Sequence, residues 1–232
     1  NGDGTLCELS RICTGGTITC HVAFDPATRR VAAANYGDGS FAVCTLDGDG
    51  ILSEPQIFVK HTGSGPDKSR QAGPHAHQCV FAGETLWVCD LGLDAAIEYA
   101  LDGGSAREKR RLNTPPGSGA RHMALDKTGR HAYVLCEMAS VIAAFDLDGE
   151  GGREAEKIYR LTDRSEGPTG AAAIKYRPDD GLLIATNRFK NNISLYMADG
   201  TALELYDRVP CGKIPRDAAF VPGTDFIIAG FQ

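Results

Sequence analysis

In Gly73-Pro74-His75-Ala76-His77 two imidazoles stand two residues apart, so an extended backbone points both to the same side. Arg121-His122 places a guanidinium beside an imidazole. Glu137 closes Tyr133-Val134-Leu135-Cys136-Glu137, and Arg188 and Arg216 stand in comparable places further along. A carboxylate, several imidazoles and several guanidiniums suit acyl transfer to water on an anionic substrate. Arginine grips carboxylate or phosphate with a bidentate fork. An imidazole or a carboxylate can take the proton from water if its pKa is tuned toward working pH. His75, His77 and His122 with Glu137 would also suit zinc, but adjacent arginines raise the cost of holding a cation.

These groups need a scaffold that brings distant residues together, and the chain carries a repeat able to do so. AAANYGDGSFAVCTLDG, VCDLGLDAAIEYALDG, LCEMASVIAAFDLDG and ATNRFKNNISLYMADG share one skeleton, anchored at Asn35, Asp90, Cys136 and Asn187. An aromatic residue or cysteine (Cys44, Tyr99, Phe145, Tyr196) follows each anchor, then Asp47, Asp102, Asp148 or Asp199, each before a glycine. Short apolar runs repeating at this period are the mark of a β-propeller with four-stranded antiparallel blades. The first repeat reads as strands at Thr19–Phe24, Arg30–Asn35, Ser40–Leu46 and Gln56–Lys60, and the fifth, from Pro215, stops after its second strand. Asp-Gly pairs suit two-residue hairpins. Asp47-Gly48-Asp49-Gly50 resembles part of a calcium loop, but it lacks the closing glutamate and the flanking helices.

Counting back from the anchors puts His21, His77 and His122 in one structural slot, with Asp217 and Ala173 in the corresponding places. Arg121 and Arg216 fall one step earlier. First strands line the channel of a propeller, so these residues are expected to face one another across its mouth. A histidine at a strand start is often only structural, and His21 and His131 taken singly read that way. The group of His75, His77, Arg121, His122, Glu137 and Arg188 is more polar than a structural channel needs.

Composition narrows the class. The net charge of −6 argues against a nucleic-acid surface, and no apolar run is long enough to span a bilayer. None of the 8 cysteines forms a C-x-x-C pair, and most sit in apolar runs, which predicts buried free thiols in a reducing compartment. The loops at 60–73 and 107–120 are long and rich in Gly, Pro and charge, a composition common in functional loops. The opening Asn1-Gly2-Asp3-Gly4-Thr5-Leu6 reads as the end of a hairpin, and the close at Gln232 falls within a strand. Residues 1–232 are therefore expected to be one incomplete propeller domain of about five blades, lacking N-terminal blades and the C-terminal end.

AANYGDGSFAV, HTGSGPDKSRQAGPHAH, PGSGARHMALDKTGRHAYVLCE, the TNR of the fourth repeat and GKIPRDAAF together resemble the lactonase family of seven-bladed β-propellers. Its best-known members are the propeller-type 6-phosphogluconolactonases, with carboxymuconate cyclases as relatives. The resemblance implies a cytoplasmic pentose phosphate pathway enzyme with no cofactor and no metal, acting on a small anionic lactone. It implies a site at His75 or His77, Arg121, Glu137 and Arg188. Two positions depart from the family pattern: Cys136 stands where the family usually has Asn, and Asp217 where it often has His.

The expected activity is hydrolysis of a sugar lactone. Glu137 or one of His75 and His77 would be the base, and His122 would orient or donate. Arg121 and Arg188, with Arg216 and His21, would hold the substrate. A muconate-type cycloisomerase using the same arginines, or a non-catalytic propeller scaffold, are the alternatives, since fold alone does not decide function.

Overall fold

A computed structural model describes residues 4–148, 154–162 and 167–232. The opening Asn1-Gly2-Asp3, and Gly149 of the third Asp-Gly pair, lie outside them. Among the described residues there is no helix, and so none able to cross a membrane.

Among the described residues eighteen strands form five antiparallel sheets in chain order. Blade I holds β1 (Thr19–Asp25), β2 (Arg30–Asn35), β3 (Ser40–Thr45) and β4 (Ile57–Lys60). Blade II holds β5 (Ala76–Ala82), β6 (Thr85–Asp90), β7 (Ala95–Asp102) and β8 (Ser105–Asn113). Blade III holds β9 (Ala120–Leu125), β10 (His131–Cys136), β11 (Val141–Asp146) and β12 (Lys157–Arg160). Blade IV holds β13 (Ala171–Tyr176), β14 (Leu182–Asn187), β15 (Asn192–Asp199) and β16 (Ala202–Pro210). A fifth, two-stranded sheet pairs β17 (Pro215–Phe220) with β18 (Ile227–Phe231). Inner strands touch inner strands, β1 on β5, β5 on β9, β9 on β13 and β13 on β17, which is the radial order of a propeller.

The middle strands show why the repeat folds this way. Successive side chains of a strand point to opposite faces, and both faces of these strands meet a neighbouring blade. In β6, Leu86 and Val88 enter the core shared with blade I, while Trp87 and Cys89 enter the core shared with blade III. In β10, Ala132 and Val134 face blade II, and Tyr133 and Leu135 face blade IV. Two buried faces require a continuous apolar run rather than an alternating one. The outermost strands keep water on one side and turn polar, as in Ser-Ala-Arg-Glu-Lys-Arg-Arg-Leu-Asn of β8.

Three expectations need correction. Asp102 pairs with Ser105 and Asp199 with Ala202, so the two-residue turns are Gly103-Gly104 and Gly200-Thr201, with the aspartate as the last ladder residue. A positive φ on the first turn residue alone (56° at Gly103, 58° at Gly200) fits a type II′ hairpin. Asp47-Gly48 sits in a longer connection, where the Asp47 carboxylate accepts the backbone N–H groups of Asp49 and Ile51. All eight cysteines are free, but only Cys44, Cys79, Cys89 and Cys136 are buried; Cys7, Cys13 and Cys20 are exposed and Cys211 is half-buried.

Candidate active site

Each inner strand is interrupted near its start by the same irregularity. The pairing with the second strand skips between Thr19 and His21, Ala76 and Gln78, Ala120 and His122, Ala171 and Ile174, and Pro215 and Asp217. A bulge of this kind re-aims the extra residue. The equivalent positions are therefore Cys20, His77, Arg121 and Arg216, with Ala172 in blade IV. This corrects the sequence-based register, which set His77 level with His21 and His122. The β5–β6 turn is only Gly83-Glu84, two residues shorter than the β1–β2 turn, and Gln78 takes the slot of the two histidines.

Glu137 is the first residue after β10, and Arg188 the first after β14. Their backbone N–H groups bond to corresponding glycine carbonyls, Gly119 at 2.8 Å and Gly170 at 3.4 Å. Three guanidiniums converge on the Glu137 carboxylate. Arg121 Nε lies 2.9 Å and Arg188 Nη2 3.0 Å from Oε2, while Arg70 Nη2 lies 2.8 Å from Oε1. Arg121 also donates to the Ala172 carbonyl, and Arg188 Nε to the Gly170 carbonyl at 2.7 Å. Burial pulls the Glu137 pKa upward, but the Arg70 hydrogen bond and the charges of Arg188 and Arg121 outweigh it and hold the carboxyl below its ordinary value. Burial draws Arg121 down to about 10, against the pull of Glu137, which leaves it charged at neutral pH. Beside this cluster opens a cavity of about 270 Å³ whose walls include Asp67, Arg70, Glu137, Gly170, Arg188 and Phe189.

The segment Pro74-His75-Ala76-His77 is fixed from below. Gly39, at φ +67°, packs so closely on Pro74 that a Cβ there would overlap it. The fully buried Asp90 accepts the His75 N–H at 2.8 Å, together with those of Gly92 and Leu93, on Oδ1. Its Oδ2 takes His61 Nδ1 at 2.7 Å, and His61 Nε2 meets the Tyr99 hydroxyl at 3.0 Å. His75 Nδ1 donates to the Tyr36 carbonyl at 2.7 Å, and its ring stacks on Tyr36 with centroids 4.4 Å apart. Tyr36 also meets the edge of His77 and interacts with Arg70, so one continuous surface runs from Glu137 through Arg70 and Tyr36 to both histidines.

His122 lies on another side of this surface. Its ring is 5.2 Å from that of His77 and 5.5 Å from that of His21, edge-on in both cases. The Nδ1 atoms of His77 and His122 are buried without a hydrogen-bond partner. Burial, then the charge of Lys175, lowers His21 to about 4; burial, then Arg121, pushes His77 and His122 well below the ordinary value. All three are neutral in the folded protein at pH 7. Unfolded chains take up these protons near pH 6.5, so the unfolded state binds more protons below that pH and stability falls with acidification. The unfolding free energy is therefore expected to drop between about pH 6.5 and 4. Urea midpoints at a series of pH values test this, and a flat profile across that window would contradict the buried-neutral reading.

The structure thus joins Arg121, Glu137 and Arg188, sets His75 and His77 on the adjoining surface, and stands His122 against His77 with His21 beyond it. Arg216 is exposed, with Nη1 3.4 Å from Gln232 Oε1, and does not touch Glu137. Among the described residues no group of three or more His, Cys, Asp or Glu is placed to hold a metal. Both Glu137 oxygens already carry guanidiniums, so the zinc arrangement of His75, His77, His122 and Glu137 does not form. Sequence reasoning missed Arg70 and Asp90 as site components. The clue to Arg70 was its place in the long charged loop at 60–73. A larger groove of about 510 Å³ lies at the opposite strand ends, bounded in part by Glu98, Arg110 and Asp148. Glu98 there is paired with Arg110, and Asp148 with Arg130.

Comparison with known proteins bears on the fold and the family. The family model described as "Lactonase, 7-bladed beta-propeller" matches residues 1–232. A Bacillus subtilis protein named 6-phosphogluconolactonase is 31% identical over 97% of this chain and 66% of its own length. The periplasmic gluconolactonase of Pseudomonas aeruginosa superposes with a TM-score of 0.84 at 26% identity, over 97% of this chain and 66% of that one. A Lactobacillus plantarum protein superposes with a TM-score of 0.84 at 29% identity, over 92% of this chain and 64% of that one. The chain spans just under two thirds of the length of these relatives.

Proposed function

The chain belongs to the lactonase family of seven-bladed β-propellers, and on that premise we propose that the whole protein hydrolyses a sugar lactone, 6-phosphogluconolactone to 6-phosphogluconate. The observation that carries this reading is the sharing of one carboxylate among three guanidiniums beside an open cavity. Three guanidiniums against the carboxylates of Glu137 and Asp67 leave one positive charge in surplus, which attracts an anionic substrate and stabilises a developing oxyanion.

Lactone hydrolysis adds water to the carbonyl carbon. Glu137 takes the proton of that water. Arg121 and Arg188, held rigid by backbone carbonyls, face the negative charge that develops on the carbonyl oxygen. The bond from the carbonyl carbon to the ring oxygen then breaks, and the ring oxygen leaves as a hydroxyl after taking a proton. The proton that Glu137 took from water is returned to the ring oxygen, with His75 or His77 as the relay. His122 and His21 support this row from within the channel, and Arg216 adds to its positive field.

The test is turnover of 6-phosphogluconolactone by the full-length protein, with the spontaneous rate subtracted. Arg188→Ala removes a charge-assisted contact worth roughly 1.5–3 kcal/mol, so kcat/KM is expected to fall by about one to two decades. EDTA should leave the rate unchanged. Inactivation by EDTA would hand the chemistry to a metal, and turnover of gluconolactone alone would move the substrate to an uncharged sugar.

A further inference from the structure

The three arginines around Glu137 are not equivalent. Arg121 and Arg188 share Oε2, and each is tied to a carbonyl of blade IV, with side chains only 2% and 12% exposed. Arg70 alone holds Oε1, and its side chain is 42% exposed. It comes from the connection between β4 and β5, where the Asp67 carboxylate accepts the N–H groups of Ser69 and Arg70 and shapes the turn. It forms part of the cavity wall, together with Phe189. An anion entering the cavity therefore meets one half-exposed guanidinium and two that are already committed.

We propose that Arg70 is the specificity-determining residue for the anionic group of the substrate, and that it takes up this group by releasing Glu137 Oε1. A phosphate competes well for the guanidinium, because it offers paired oxygens to the bidentate fork where Glu137 offers one. The exchange has a chemical consequence. Once Arg70 turns to the substrate, Oε1 loses its only ion-pair partner and becomes free to accept the proton of water. Arg121 and Arg188 keep the carboxylate in place through Oε2. Binding of the charged end of the substrate thus uncovers the base, and an uncharged lactone leaves it capped.

This inference rests on the lactonase reading for its chemistry but can be tested apart from it. In the full-length protein, calorimetric titration with 6-phosphogluconate and with gluconate measures the anion grip without any turnover. Arg70→Ala is expected to weaken 6-phosphogluconate about 10–100-fold more than gluconate, the range of one charge-assisted contact. Arg70→Lys should recover part of the difference, since it keeps the charge but loses the fork. In turnover assays, the ratio of kcat/KM for the phosphorylated over the unphosphorylated lactone should fall by more than that factor, because the unphosphorylated lactone gains an uncovered base. The acid limb of the Arg70→Ala pH profile should also move to higher pH, because Oε1 is permanently uncovered. Equal weakening of both ligands, or no change in either, overturns the role given to Arg70. Selective weakening without turnover of either lactone upholds the anion site and overturns the hydrolase reading instead.

Discussion

Replacing Glu137 by Gln in the full-length protein is expected to lower kcat on 6-phosphogluconolactone by about two to four decades, the usual span for loss of a general base. The amide keeps the shape of the side chain but cannot take a proton from water. The same change removes the one negative charge among Arg70, Arg121 and Arg188. KM for a phosphorylated lactone should therefore stay the same or fall. A rise in KM with kcat intact would show that Glu137 only organises the arginines. Near-normal values of both constants would shift the base to His75 or His77.

Asp90→Ala is expected to cost about 3–5 kcal/mol of folding stability, since each buried donor left without an acceptor costs about 1–3 kcal/mol. The alanine leaves the N–H groups of His75, Gly92 and Leu93 without their acceptor, and strands His61 Nδ1 as well. Asp90→Asn should cost less. It keeps an oxygen for the three N–H groups, and the His61 ring can invert its tautomer, with the Tyr99 hydroxyl accepting instead of donating. Urea unfolding of the two variants at pH 7 measures the difference. Equal and small losses would mean that water enters to replace the carboxylate. Because His75 hangs on Asp90, both variants should also disturb turnover.

Much of this architecture is legible in the residue order, for a physical reason. Strands such as Arg30–Asn35 are buried on two faces and bounded by turn residues, so their limits coincide with a change in composition. Ser40–Thr45 ends one residue before the expected Leu46, which forms an isolated bridge with Leu52 instead. Arg121, Glu137 and Arg188 can be placed because each stands at the start of a strand or just past its end, at a repeating distance. Arg70 cannot, since it reaches Glu137 from a loop 67 residues away with no period behind it. Gln78 rather than His77 shares the slot of His21 and His122, because spacing along the chain does not reveal the length of a hairpin. The mixture of buried and exposed cysteines was hidden for a related reason: Cys20 lies in an apolar run, but on the extra residue of an irregular strand.

That extra residue has a wider consequence. In a regular ladder each inner-strand side chain belongs to the packing of one blade against another, and changing it disturbs the core. The residue at the skipped position stands outside the pairing, so its identity is less constrained by the cores on either side. Positions 20, 77, 121 and 216 therefore act as sockets that can be refilled one at a time. The occupants here are a thiol, an imidazole and two guanidiniums. Exchanging them alters what the channel attracts while the strands around it keep their partners, and a lineage built on this scaffold can change substrates without first surrendering its fold.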